Sequence, residues 1–233
     1  MHGLFRLHPS LIVRSIMYRV VATFRTLALA AIAFVLPAAA GAAASDYRFD
    51  SVHTQILFAL SHLGFSHPSG RLHVKSGFIH FDDDDWTTAK VDALIDAASI
   101  DMGDASWNDK LRSHEFFAAE RYPTAHFVST RVEKTGDKKG IVHGTLTLLG
   151  VTRPLDLSVT FNRAGVDPYT FKWTAGFSAT AALRRSDFGM TKYLPDIGDA
   201  IDIRIEAEGL RDGKAQEREE PATGTPAADS KEH

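Results

Sequence analysis

Apolar and polar residues alternate along short segments from Tyr47 to Leu210, and this period of two constrains the fold more than any other feature. The clearest segment has Leu155, Leu157, Val159 and Phe161 interleaved with Asp156, Ser158 and Thr160. Segments 170–177 and 201–206 repeat the pattern. Alternation places one face of a strand against a core and the other in water. It is typical of antiparallel sheets and not of buried parallel ones.

The alternating segments and the turn residues between them predict a complete set of strands. Eight are expected, at 55–63, 71–82, 88–100, 124–134, 139–149, 153–163, 169–182 and 200–209. The connectors 135–137, 150–154 and 164–168 contain Gly, Pro or Asp, which favour tight reversals. Consecutive strands with short turns indicate an up-and-down meander. The predicted fold class is therefore all-β with a short helix, an eight-stranded antiparallel, lipocalin-like β-barrel.

The segment Ser106–Ala119 breaks the alternation. Ser106 is a suitable N-cap, Trp107 and Leu111 are spaced i and i+4, and two phenylalanines follow near the end of the segment. We predict a short helix that packs across the sheet or covers one mouth of the barrel.

The N-terminal residues 1–44 differ in composition from the segments that follow them. Arginines precede the apolar run Leu27–Leu36, and small residues before Ser45 fit the A-x-A cleavage pattern. We therefore predict an export signal peptide, with Met17 as a candidate true start. An uncleaved membrane anchor is the alternative, since the apolar and small residues together nearly span a bilayer. Cleavage is favoured because the second half of this stretch is Ala and Gly.

The remaining boundaries follow from composition. Residues 211–233 lack large apolar side chains and are rich in Glu, Ala, Pro and Thr, which predicts a disordered C-terminal tail. The barrel domain is expected over residues 45–210. Cysteine is absent, so disulfides, a cysteine-linked lipid anchor and haem on a C-x-x-C-H motif are excluded. The formal net charge is −3 with both signs mixed, which offers no basic stripe for a nucleic acid partner.

Candidate reactive groups do not form a known motif. The histidines show neither H-x-H nor H-E-x-x-H spacing, so no metal is predicted. The run Asp82–Asp85 lacks the Gly and Glu of a calcium loop and is interpreted as a solvated turn. No G-x-S-x-G elbow or glycine-rich phosphate loop is present, so no catalytic residue and no cofactor are predicted.

His62 is the polar residue of most interest, because the predicted strand 55–63 places it on one face with Ile56, Phe58 and Leu60. Two roles are open for it, a bond to the head group of a ligand or a bond to a backbone carbonyl in the barrel wall.

Aromatic residues are abundant on the predicted inward rows, and the chain has 15 phenylalanines. In a small barrel such residues either fill the core or line a slot for one ligand. As a hypothesis, a tunnel is lined by Phe58, Phe78, Phe161, Phe171, Trp173 and Phe177.

Six blocks of sequence in order, from Tyr47 onward, resemble the YceI-like family of periplasmic polyisoprenoid-binding proteins. The blocks are Tyr47–Thr54, Phe58–Gly64, Leu111–Phe117, Tyr122–Phe127, Gly144–Pro154 and Arg185–Met190. The resemblance implies a lipocalin-like barrel in the periplasm that binds or transports a long isoprenoid, quinone tail or fatty amide. It leaves two departures, since relatives often have His at the positions of Lys110 and Leu149.

Together, the strand alternation and the family resemblance predict a set of lipid-binding residues: Ile56, Phe58, Leu60, His62, Phe78, Phe161, Phe171, Trp173 and Phe177. The expected partner is a long-chain isoprenoid or fatty lipid, with a transient membrane contact and a second copy of the chain as further candidates. An Arg185–Asp187 pair is also expected. Two alternatives remain open: an enzyme that modifies an isoprenoid or quinone in the same cavity, and a ligand-free, stress-related module with a filled barrel.

Overall fold

The computed structural model describes residues 44–219. The predicted signal peptide, its membrane-anchor alternative and most of the predicted tail lie outside these residues. The strands of this part of the chain are β1 Ser45–Phe49, β2 Gln55–Ala59, β3 Ser69–Phe81, β4 Lys90–Asp101, β5 Thr124–Gly136, β6 Lys139–Leu148, β7 Val151–Val166, β8 Trp173–Arg184 and β9 Ala200–Arg211. Two short helices, α1 Ala105–Arg112 and α2 Ala215–Glu219, and two 3₁₀ turns, Trp86–Thr88 and Arg185–Phe188, accompany them. Within 44–219, no helix has both the length and the apolar character needed to cross a bilayer.

The sheet closes on itself as an antiparallel barrel. Strands β2 to β9 follow one another as a meander, and β9 returns to pair with β2, with Ile56 opposite Ile205. The predicted eight-stranded meander is thereby confirmed. Among the strands of residues 44–219, closure leaves no open sheet edge, which removes the main route to edge-to-edge aggregation.

Strand β1 was not predicted, and it shares one position of the barrel with β2. Both pair with β3 on one side and β9 on the other, β1 near one end of the barrel and β2 near the other. Residues 50–54 separate them. The Thr54 backbone N–H donates to the Asp50 carbonyl at 2.9 Å, and the fully buried Thr54 hydroxyl donates to the Glu208 carbonyl at 3.2 Å. The interruption is therefore tied to β9, and alternation over only five residues gave too weak a signal for β1.

A bulge in β3 reverses which residues face inward. Its register with β4 shifts between Val74 and Ser76, and Gly77 follows with φ +135°. A Cβ at Gly77 would lie 2.1 Å from the Asp92 carbonyl oxygen, so only glycine fits there. After the bulge Gly77 is buried, and Phe78 points to the outer face between strands β1 and β4. The prediction that Phe78 lines the interior is therefore wrong, because it assumed unbroken alternation.

Helix α1 is shorter than predicted, ending at Arg112 and not near Ala119. Its N-cap is Asp104, whose side chain accepts from the Trp107 backbone N–H at 3.0 Å, while Ser106 lies inside the helix. Lys110 and Arg112 in its last turn place positive charge at the negative end of the helix dipole, which stabilises the helix.

The predicted tail begins too early. Strand β9 extends to Arg211, and α2 follows with Ala215 buried. The Gln216 side chain donates to the Asp46 carboxylate at 2.6 Å, which ties α2 to β1. Composition alone did not predict this segment, because only the buried Ala215 and the Gln216 amide are seen to attach it to the barrel.

Candidate binding cavity

The barrel encloses a cavity of about 420 Å³. This volume lies in the range of about 300–1,000 Å³ that is usual for small-molecule sites. Inward rows of β7 and β9 form much of its wall: Leu155, Leu157, Val159, Ile201, Ile203 and Ile205. Their alternation was visible in the sequence, and the wall is accordingly apolar.

Four aromatic side chains close one end of the cavity, and we call Phe81, Trp86, Phe161 and Phe177 the aromatic floor. The Phe81 ring lies 5.2 Å from Trp86, 4.9 Å from Phe161 and 5.1 Å from Phe177, centroid to centroid. Phe81, Trp86 and Phe177 line the cavity, whereas Phe161 lies behind them, 5.5 Å from Phe177. All four are at most 8% exposed, so the floor belongs to the hydrophobic core.

Trp86 reaches the floor from the turn between β3 and β4. The predicted solvated turn Asp82–Asp85 precedes it, and the Asp85 side chain caps the 3₁₀ turn by accepting from the Thr87 N–H at 3.0 Å. Gly140 on β6 provides the space, since a Cβ there would lie 2.6 Å from the Trp86 ring. A glycine on the facing strand therefore decides that the indole enters the barrel.

Helix α1, the residues around His62 and the loop Arg185–Gly198 form the opposite end of the cavity, which we call the mouth. Arg112 donates to the carbonyls of Ala98 at 2.8 Å and Ile100 at 3.3 Å, which fixes α1 to β4. This position turns Trp107 and Leu111 toward the cavity. Of the two placements predicted for the helix, across the sheet or over one mouth of the barrel, the structure shows the second.

The mouth carries Lys110 and Arg185 of the lining, and Lys110 belongs to a charged cluster. Glu115 binds Lys110 and, at 3.0 Å, Lys192, and both ammonium groups lie over the Tyr193 ring, 5.6 and 5.1 Å from its centroid. Hydrogen bonds from Lys110, then from Lys192, lower the pKa of Glu115 to about 2. The bond to Glu115 raises the pKa of Lys110. At neutral pH the lowered pKa keeps Glu115 ionised between the two lysine side chains.

Arg185 is the buried cation of the mouth, and its partners differ from the prediction. Its guanidinium is 2% exposed and donates to four backbone carbonyls, those of Met190, Lys192, Ile197 and Gly198, at 2.7–3.0 Å. Burial lowers the pKa of Arg185, and attraction to Asp199 opposes that shift. The expected Arg185–Asp187 pair is wrong, since Asp199 instead binds Arg184 and Ser186. Arg185 fixes the loop between β8 and β9 and has little capacity left for a ligand.

Five residues of the sequence-predicted set lie on the cavity lining: Ile56, Phe58, Leu60, His62 and Phe177. His62 lies beyond the end of β2, where its backbone bridges to Ser66 and Ile197 and its ring lies 5.5 Å from the Trp107 ring. Phe161 is part of the floor without touching the cavity. Their role in lipid binding stays a prediction.

Phe171 and Trp173 lie elsewhere than predicted. Strand β8 begins only at Trp173, and Phe171 is 80% exposed in the preceding turn with φ +57°. Asp167 organises that turn by accepting from the backbone N–H groups of Tyr169 and Thr170. Trp173 is half-buried at the floor end beneath the Arg211 guanidinium, 4.4 Å from the ring centroid, and does not reach the cavity. The predicted strand 169–182 begins four residues before β8, so it wrongly includes Phe171.

Several lining residues were missed by sequence reasoning, among them Trp86, Lys110 and Tyr193. None of these three residues lies in a predicted strand, so the two-residue periodicity could not identify them. A usable signal existed for Lys110, because it follows Trp107 by three residues on the predicted helix.

One group of potential metal ligands occurs within residues 44–219. Single ligand atoms of Asp50, His53 and Glu208 lie within 4.8 Å of one another. His53 Nδ1 already bonds the Asp50 carboxylate at 3.0 Å, and this bond raises the pKa of His53. The Asp50 bond accounts for the arrangement without an ion, and no role in the cavity follows from it.

These features define a class: a closed antiparallel barrel with an internal apolar cavity, closed at one end and bordered by a short helix at the other. The chain belongs to the YceI-like domain family, whose model matches residues 47–209. A UPF0312 protein of Vibrio parahaemolyticus is 37% identical over 185 residues, which cover 78% of this chain and 94% of that protein.

Two solved structures show the same fold. Burkholderia cenocepacia BcnA matches with a TM-score of 0.61 and 25% identity, covering 69% of this chain and 98% of that one. A polyisoprenoid binding domain from Saccharophagus degradans, implicated in plant cell wall breakdown, matches with a TM-score of 0.54 and 16% identity, covering 71% and 98%. The latter similarity supports the fold alone.

Proposed function

We propose that the chain is a periplasmic protein that binds and carries one long-chain apolar lipid inside its barrel. The observation that carries this proposal is the apolar cavity between the mouth and the aromatic floor. The proposed ligand is a polyisoprenoid, a quinone tail or a fatty amide, because the apolar lining of the cavity suits a long apolar chain. Export rests on the predicted signal peptide.

The energetics favour a tail-binding site. Burial of one isoprene unit removes five carbons from water, worth roughly 3–4 kcal/mol at ~0.8 kcal/mol per carbon. A few units therefore provide useful affinity even after the cost of association. Such a site recognises the width of the chain more than the head group, so several lipids should compete for it.

The polar groups of the lining favour binding over catalysis. Arg185 is committed to four carbonyls, and Lys110 is held by Glu115. His62 lies at the mouth against Trp107. An isoprenoid- or quinone-modifying enzyme would need a nucleophile or base directed at the bound chain. Arg185, Lys110 and His62 lie at the entrance, and His80, which lines the other end of the cavity, is bonded to the Asp46 carboxylate at 2.6 Å.

Loading from a membrane is part of the proposal. The tight turn beside His62 holds Leu63 and Phe65 at 50% and 88% exposure. Apolar side chains presented next to the mouth suit a brief contact with a bilayer surface. Homodimer formation stays a prediction.

The test is native mass spectrometry of protein purified from its own periplasm, followed by organic extraction and lipid identification. A stoichiometric lipid adduct is expected. A clean protein mass, together with failure of added polyprenol to bind, would exclude the carrier and favour the filled barrel.

A variant pair connects the binding to the cavity. Ile203→Asp places a carboxylate on the lining, whereas Phe171→Asp places one on the exposed turn. We expect the first, if folded by circular dichroism, to lose binding of a fluorescent lipid and the second to keep it. Equal affinity of two folded variants would remove the cavity as the site.

A further inference from the structure

We propose that the aromatic floor limits the length of the apolar chain that the barrel can bury. This inference rests on the proposed function, because it describes how the same cavity selects among lipids. The floor residues are Phe81, Trp86 and Phe177, with Phe161 behind them.

The cavity is asymmetric along the barrel, which fixes the direction of entry. At the mouth, Trp107 is 41% and Tyr193 48% exposed although both line the cavity. At the floor, Trp86 is 3% and Phe81 6% exposed. A chain therefore enters at the mouth with its apolar end first, and any head group remains beside the mouth.

Charged groups lie over the outer side of the floor and oppose passage through it. The Lys134 ammonium lies 5.4 Å from the Trp86 ring centroid, and the Lys138 ammonium lies 5.9 Å from that of Phe161. A chain that displaced these rings would meet two hydrated cations in place of an apolar surface. Penetration would also displace Trp86 from its position against Gly140, where the ring occupies the space that a side chain would otherwise take.

A length limit predicts a specific dependence of binding affinity on chain length. Each methylene that enters the cavity should tighten binding about fourfold, which corresponds to ~0.8 kcal/mol at 25 °C. Once the chain reaches the floor, further methylenes remain at the mouth in water and add little. A plot of log affinity against chain length should then rise and break at one length.

The experiment measures displacement of a fluorescent lipid from the delipidated protein by saturated fatty acids that lengthen by one methylene per member. Phe177→Leu and Phe81→Leu remove part of the floor and deepen the cavity, so they should move the break to longer chains. Ala207→Leu, directly opposite Phe177 on β9, narrows the cavity above the floor and should move it to shorter chains.

Phe127→Leu is the matched control, because Phe127 lines the wall beside Gly144, four residues along β6 from the Gly140 that contacts Trp86. It removes the same atoms, so it should change affinity but leave the break in place. Two floor variants and one filling variant keep the test decisive if one of them fails to fold.

Three outcomes separate the proposals. A break that moves with the floor variants and not with Phe127→Leu supports the length limit. Affinity that rises without a break, or a break that folded floor variants leave unchanged, overturns the length limit while lipid binding stands. Failure of every fatty acid and of the fluorescent lipid to bind overturns the proposed function itself.

Discussion

The two ends of the barrel are closed in different ways, and the difference separates stability from function. The floor consists of aromatic side chains packed on one another and belongs to the continuous core. The mouth consists of a short helix and a loop held by hydrogen bonds and ion pairs, with several apolar side chains partly exposed. Elements of low local stability are those that can open for a ligand. The floor should therefore contribute to folding, and the mouth to exchange.

The strongest test truncates an aromatic side chain at each end. Phe161→Ala leaves a cavity in the floor and should cost about 3–5 kcal/mol of unfolding free energy. Tyr193→Ala removes a side chain that is 48% exposed at the mouth and contacts Lys110 and Lys192, so it should cost less, about 1 kcal/mol. Urea denaturation measures both. Similar losses at the two positions would show that the ends do not differ.

Arg185 is the exception that sharpens the comparison, because it makes one part of the mouth rigid. Arg185→Lys cannot supply donors to four buried carbonyls and should cost about 3 kcal/mol. Arg184→Lys is its control, since Arg184 is 69% exposed and paired with Asp199, and it should cost less than ~1 kcal/mol. Thermal unfolding of the two variants distinguishes them, and equal midpoints would argue against the role of Arg185.

A single added methyl group tests how tightly the floor is packed. Gly140→Ala places a Cβ 2.6 Å from the Trp86 ring and 2.7 Å from the Glu133 carbonyl oxygen, so both must shift, and it should cost about 1–3 kcal/mol by overpacking. Gly136→Ala, on the same hairpin, meets only the Lys139 side chain at 3.9 Å and should be close to neutral. If denaturant midpoints fall equally for both, the packing of Trp86 against Gly140 is not decisive.

Acid should affect both ends of the barrel, and it acts on the mouth through Asp101. Bonds from Gly103 N–H, then from Asn108 and Arg71, lower the pKa of Asp101 from 3.8 to about 2. Because the folded pKa is lower than the unfolded one, this stabilisation is present above pH 3.8 and disappears as pH falls toward 2. Trp107 emission in a single-tryptophan variant should then report this loss at the mouth. Trp86 emission should report the floor, where bonds from Thr87 lower the pKa of Asp85.

Two substitutions control the acid experiment. Asp101→Asn should weaken the pH dependence of the Trp107 signal between these values, while Asp109→Asn, 79% exposed, should leave it unchanged. Simultaneous changes at both tryptophans would show that acid unfolds the barrel as one unit.

Much of the fold could be predicted because strand alternation is a local property. The inward row of β7, with Leu157 buried and Asp156 exposed, follows directly from the pleat. The errors lie where the pleat is interrupted. The bulge before Gly77 turned Phe78 outward, and the Asp167 turn ended the alternation before Phe171.

The candidate site was less predictable because its ends are built from residues distant in sequence. Trp86 enters the floor only because Gly140 lies opposite on β6, and no local pattern relates these two. Arg185 finds its carbonyls across the loop to Gly198, so a nearby Asp187 was the wrong partner. The wall follows from periodicity, whereas both ends follow from tertiary contacts.

The shared position of β1 and β2 has a kinetic consequence. Both strands pair with β9, and Tyr47 lies opposite Arg211, so the first and last strands close the barrel together. Contacts of such long sequence separation give a high contact order, and chains of this kind fold slowly. The barrel cannot close until β9 has been synthesised, so a nascent chain remains open along its whole length. For a protein expected to cross a membrane before it folds, that delay keeps the chain competent for translocation.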